Sequence, residues 1–108
     1  MPLTIKDLMS RMPSAFQPDK AEGVDAVLQF HFTGGEASDW YAVIKDQKCT
    51  VLEGVHEDPT MALTADSSDY IDVITGKQNA MQLFMAGKLK LKGNLNYAMK
   101  MMEYFKLN

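Results

Sequence analysis

Trp40-Tyr41-Ala42-Val43-Ile44-Lys45-Asp46-Gln47-Lys48-Cys49-Thr50-Val51-Leu52 is the stretch on which the fold class turns. Two runs rich in β-branched and aromatic residues flank a polar Asp46-Gln47 pair, which reads as strand, tight turn, strand. The first run, Trp40 to Ile44, is apolar on both faces, so it belongs in the centre of a sheet or under cover on both sides. Immediately upstream, Val24, Ala26, Leu28, Phe30 and Phe32 alternate with Asp25, Gln29 and His31. That period of two marks a half-buried strand, with Gln29 and His31 expected on the water side. Gly34-Gly35 turns the chain between the two. Three strands joined by short connections imply an antiparallel meander.

Working outward, the two ends read as helical. Thr4-Ile5-Lys6-Asp7 has the form of a capping box, and Ile5, Leu8, Met9 and Met12 follow at helical spacing. Pro13 is expected to end that helix or bend it into a short second piece. Thr60 to Ala65 reads as a fourth strand. Asp66-Ser67-Ser68-Asp69 has the shape of a helix N-cap ahead of Tyr70, Ile71, Val73 and Ile74, and Gly76 stops the helix. Asn79 caps a short helix carrying Met81, Leu83, Phe84 and Met85 up to Gly87. Lys88-Leu89-Lys90-Leu91-Lys92 alternates strictly and reads as a fifth strand, leucines inward. A last helix places Leu95, Ala98, Met99, Met102 and Phe105 on one stripe. The expected class is α+β: a three-strand antiparallel meander plus two later strands in a five-stranded sheet, covered by helices.

With 108 residues the chain suffices for one core, so residues 1–108 are expected to form a single domain. The longest apolar run is five residues, Trp40 to Ile44, far short of the ~18 a spanning helix needs. The N-terminus lacks a secretory apolar block, and Cys49 is the sole cysteine, so a reducing, cytoplasmic setting is expected. Charge is uneven. Residues 1–76 carry a net −8, while residues 77–108, with six lysines and Glu103, carry +5. Either the two parts neutralise each other across the fold, or the basic part faces anionic headgroups. Nucleic acid is not an expected partner: the chain is acidic overall, and Arg11 is its one arginine.

Catalytic and metal signals are weak. His31 and His56 have no zinc spacing to Cys49 or to each other. A Cys49–His31 nucleophile pair is conceivable in space, but a lone Cys in an apolar strand is usually inert. Glu57-Asp58 and Asp66, Asp69 and Asp72 read as loop and cap acids. No glycine-rich phosphate loop follows a strand. No catalytic residue, metal or cofactor is expected. The conspicuous chemistry is apolar. Nine methionines are present, five of them at or after residue 77, and such side chains either fill a core or line an adaptable pocket.

The stretch from Thr75-Gly76-Lys77 through Phe84-Met85-Ala86-Gly87-Lys88-Leu89-Lys90-Leu91-Lys92-Gly93-Asn94 to Ala98-Met99-Lys100 resembles the closing motif of the sterol carrier protein (sterol-binding, lipid-transfer) family. Phe16-Gln17-Pro18-Asp19-Lys20-Ala21, Gln29-Phe30 and Trp40 to Asp46 resemble its bacterial, single-domain branch. The resemblance covers essentially the whole chain in order. It implies a small α+β domain with an apolar tunnel between sheet and helices, no catalysis and no prosthetic group. It also implies a lipid ligand: a fatty acid, acyl-CoA, sterol-like or isoprenoid molecule. Animal members commonly carry Gln where this chain has Ala86, and the peroxisomal tripeptide of eukaryotic members is not found in Lys106-Leu107-Asn108.

The expected lipid-contacting residues are Leu28, Phe30, Phe32, Trp40 and Ile44 from the meander and Leu89 and Leu91 from the fifth strand. Phe84, Met85, Ala98, Met101, Met102 and Phe105 complete the set from the helices. The alternative is that the same side chains close into a solid core. Lys88, Lys90 and Lys92 are expected on one side of the fifth strand, as a contact for anionic membranes. Function is expected to be non-catalytic binding and transfer of an apolar lipid. The alternatives are a lipid-presenting domain for a biosynthetic enzyme complex and a small acyl-handling enzyme.

Overall fold

The computed structural model describes residues 3–105, with backbone alone for residues 98, 99 and 101–103. Thr4 opens helix α1 (Ile5–Ala15) with the expected reciprocal cap: its hydroxyl accepts from the Asp7 N–H, and the Asp7 carboxylate accepts from the Thr4 N–H, each at 3.1 Å. Those bonds hold the Asp7 carboxyl below its ordinary value of 3.8. Pro13 does not end the helix. It lies inside it, in the last turn, where the lost hydrogen bond to the Met9 carbonyl is offset by burial of Met12 and Phe16 on either side.

Strands β1 (Ala26–Thr33), β2 (Ser38–Lys45) and β3 (Lys48–Glu53) form the antiparallel meander. The β2–β3 turn has positive φ at both Asp46 and Gln47, 52° and 59°, the conformation that matches hairpin twist. Strand β4 (Met61–Asp66) then pairs with the far edge of β1 in parallel, Phe30 opposite Leu63, and β5 (Leu89–Gly93) pairs antiparallel with β4. The sheet order is β3-β2-β1-β4-β5 and the sheet is mixed. Helices α2 (Ser67–Ile74) and α3 (Ala80–Met85) lie between β4 and β5, and α4 (Leu95–Tyr104) follows β5. Asp66 caps α2 through Ser68 N–H at 2.8 Å, and Asn79 caps α3 through Met81 N–H at 2.8 Å, as their positions in the sequence require.

The even-numbered face of β1 is the core. Ala26, Leu28, Phe30 and Phe32 are buried there with Ala42 and Ile44 of β2, Met61, Leu63 and Ala65 of β4 and Leu89 of β5. Ile5, Met9 and Met12 of α1, Tyr70 of α2 and Tyr104-Phe105 close over them. Phe105 lies just past α4, bridged to Phe16 with ring centroids 5.6 Å apart.

On the other face the crossover from β3 to β4, residues 54–60, passes over part of the sheet, and here Gln29 departs from its expected exposure. It is fully buried. Its amide nitrogen donates to the carbonyls of Trp40 (2.9 Å), Gly54 (3.0 Å) and Phe30 (3.3 Å), and its oxygen accepts from His56 N–H at 2.8 Å. Every polar atom of the amide is thus engaged, which is what allows it to be buried. A parallel β1–β4 pair needs a crossover connection, and Gln29 bonds this one to the sheet.

Candidate functional site

An apolar cleft of about 500 Å³ lies between α1 and α2. Its wall is Leu3, Leu8, Met9 and Met12 from the N-terminal segment and Tyr70 and Ile74 from α2. The capping box sets where α1 starts, and the i, i+4 spacing of Leu8 and Met12 turns both toward α2. Arg11, Ser14 and Thr75 are the polar members of the rim. The volume falls within the range of small-ligand sites, and an apolar wall with few polar groups suits a hydrocarbon.

Tyr70 links the cleft to the sheet. Its ring meets Phe32 at 5.0 Å and Phe30 at 6.1 Å, edge-on or tilted, while Phe30 and Phe32 stack at 6.0 Å. Burial pushes the Tyr70 phenol well above its ordinary value. A second hollow, about 540 Å³, lies at the β1–β4–β5 end of the sheet. It carries charge of both signs, lined by Thr33, Thr64, Ala65, Asp66, Asp69, Lys88 and Lys90.

The structure distributes the expected lipid-contacting residues over three places. Leu28, Phe30, Phe32, Ile44, Leu89 and Phe105 are together in the core, with Trp40 and Leu91 half-buried against it. Phe84 and Met85 are placed elsewhere: they face outward on α3, 44% and 80% exposed, and Leu83 takes the inward position. Leu95, expected on the inner stripe of the last helix, is also exposed, at 48%. The side chains of Ala98, Met101 and Met102 lie outside the described residues. Lys88, Lys90 and Lys92 are exposed, as strict alternation along β5 requires. None of the cleft residues Leu3, Leu8, Met9, Met12, Tyr70 and Ile74 is in the expected lipid-contacting set. The signal for them was the α1 and α2 apolar spacing, which marks a face but not the gap between two faces.

Cys49 and His31 cannot cooperate. Cys49 is opposite Ile44 and shares the core face, whereas His31 is an odd-numbered β1 residue on the other face, bonded to Asp39 at 2.8 Å. Its register position is five residues from Ala26, the β1 residue level with Ile44, roughly 17 Å along the strand. Burial pushes the Cys49 thiol up to about 11, so it is protonated at neutral pH and a poor nucleophile. Among the described residues no cluster of His, Cys, Asp or Glu could hold a metal ion.

A mixed five-stranded sheet with helices packed on its core face leaves an apolar cleft between α1 and α2, an α+β domain with room for an apolar ligand. Comparison with known proteins is specific. Residues 5–106 match the SCP-2 sterol transfer family, and the chain belongs to that family. Such a domain is a non-catalytic lipid-binding and lipid-transfer module. Hydroxysteroid dehydrogenase-like protein 2 of Xenopus tropicalis is 30% identical over 100 residues, covering 90% of this chain and 24% of the relative. The chain therefore spans about a quarter of that relative's length. Among solved structures, apo sterol carrier protein 2 of Yarrowia lipolytica superposes with a TM-score of 0.78 at 23% identity, covering 94% of this chain and 88% of that one. The palmitated SCP2L2 of Aedes aegypti gives 0.73 at 24% identity, covering 94% and 93%.

Proposed function

We propose that this domain binds one single-chain lipid, tail first, through the cleft between α1 and α2 and exchanges it with anionic membranes. The cleft is the observation that carries the reading. The tail would run past Leu8, Met9, Met12 and Ile74 to the Tyr70–Phe32–Phe30 cluster, so that the expected residues of the sheet form its far wall. Arg11 at the rim suits a carboxylate head, and the palmitated form of the Aedes aegypti protein supports a fatty acid as the class. Lys88, Lys90 and Lys92 are the proposed membrane contact, each worth about 1 kcal/mol near an anionic surface. The single continuous core among residues 3–105 supports its working as one domain, the resemblance of residues 16–21 and 40–46 supports a bacterial-type member, and the lone thiol supports a cytoplasmic setting.

Filling the cleft tests this. Ile74→Trp is expected to weaken binding of a fluorescent fatty acid at least tenfold while leaving the unfolding midpoint nearly unchanged, since overpacking costs ~1–3 kcal/mol only where there is no room. Unchanged affinity contradicts the reading. A second reading, a domain that presents lipid to an enzyme, is favoured by the relative in which this stretch is 24% of a longer chain. Co-purification with a lipid-modifying enzyme would distinguish it.

A further inference from the structure

Helix α3 turns its apolar face to water. Met81, Phe84 and Met85, at i, i+3 and i+4, share one side and are 64%, 44% and 80% exposed, with Leu83 buried on the opposite side. With Leu95 they make four of the six large apolar side chains exposed among the described residues. The same stretch is the most basic in the chain. Lys77, Lys88, Lys90, Lys92 and Lys100 occur with no acidic residue between Asp72 and Glu103. The nearest acids are partly engaged: Gln78 donates to Asp69 and Asp72, both at 2.9 Å. Lys88 and Lys90 share their hollow with Asp66 and Asp69, yet no Lys or Arg among the described residues makes an ion pair.

The outward attitude of α3 is fixed rather than incidental. Asn79 caps its start, Leu83 anchors its middle, and Lys88 N–H donates to the Leu83 carbonyl at 2.9 Å, tying its end to β5. An apolar patch of this kind marks an interaction surface, and a stretch whose charged residues from 73 to 102 are all lysines favours an anionic one. We infer that α3 is a wedge that inserts Phe84, Met85 and Met81 into the headgroup–acyl boundary of an anionic bilayer while the flanking lysines rest on lipid phosphates. The inference rests on the membrane-exchange reading above and adds which segment enters the bilayer.

The test uses the full chain and vesicles of either phosphatidylcholine alone or an equal mixture of phosphatidylcholine and phosphatidylglycerol. Wild type is expected to sediment with the mixed vesicles only. The Phe84→Ser/Met85→Ser variant is expected to lose about tenfold or more in partitioning, from the apolar area withdrawn from the bilayer. In a Cys49→Ala background, an environment-sensitive fluorophore on Met85→Cys is expected to shift blue on mixed vesicles. The same fluorophore on Val55→Cys, exposed but outside the basic stretch, is expected not to shift. Sedimentation that survives both serines, or a position-85 probe that stays in water while the protein sediments, overturns the wedge and leaves membrane exchange standing. A blue shift without vesicles at high protein concentration assigns the patch to a second copy of the chain and also overturns it. Failure of the wild type to sediment with either vesicle overturns both readings.

Discussion

Replacing Gln29 with Met should uncouple the crossover from the sheet. The side chain is fully buried and of similar length to Met, so packing is retained while two bonds to the crossover are lost: Gly54 O at 3.0 Å and His56 N–H at 2.8 Å. A buried polar group left without a partner costs ~1–3 kcal/mol. Both backbone partners are only partly buried, which puts each near the low end, about 1–1.5 kcal/mol. The expected loss is therefore about 2–3 kcal/mol, a fall of roughly 8–12 °C in Tm for a domain of this size. Urea unfolding should show a lower midpoint with an unchanged slope. Amide exchange adds a local readout. The His56 N–H should lose protection, while the Gly54 N–H, bonded at 2.8 Å to the Asp39 carbonyl, should keep it. A loss under about 0.5 kcal/mol, with His56 still protected, would refute the role given to Gln29.

Two further outcomes follow from the same structure. Gly93 has φ of 86°, and a Cβ there would meet the Thr60 carbonyl oxygen at 2.5 Å and Met61 Cα at 3.2 Å; Gly93→Ala should therefore cost at least ~2 kcal/mol in urea unfolding, and a neutral result would mean that β5 can move off β4. The Cys49 thiol, raised from 9.0 to about 11, stays protonated in the folded protein while the unfolded chain ionises, so stability should hold below pH 9 and fall between pH 9 and 11; Cys49→Ala should remove that part of the decline, and an identical alkaline limb in the variant would contradict it.

Much of this fold was readable because local rules suffice for it. Thr4, Asp66 and Asn79 announce three helix starts through side chains that bond their own backbone. Alternation along Ala26–Phe32 and Leu89–Lys92 identifies strands and core faces. What escaped depends on partners distant in sequence. Alternation records that Gln29 is polar, not that residues 54–56 return to satisfy it. It carries no sense of strand direction, so the parallel β1–β4 pair was not legible. In α3 almost every residue is apolar, so the sequence does not say which side faces in; the structure settles this with Leu83. Pro13 was read from its local cost, which burial of Met12 and Phe16 outweighs. The cleft is the gap left between α1 and α2, and neither helix encodes it alone.

The measurement that bears most directly on lipid binding is native mass spectrometry of protein purified without detergent, followed by titration of the delipidated protein with palmitate. The account requires one lipid per chain, carried through purification or restored by titration, with Ile74→Trp losing it. Bare protein mass throughout, with no uptake of palmitate, an acyl-CoA or a sterol, would contradict it.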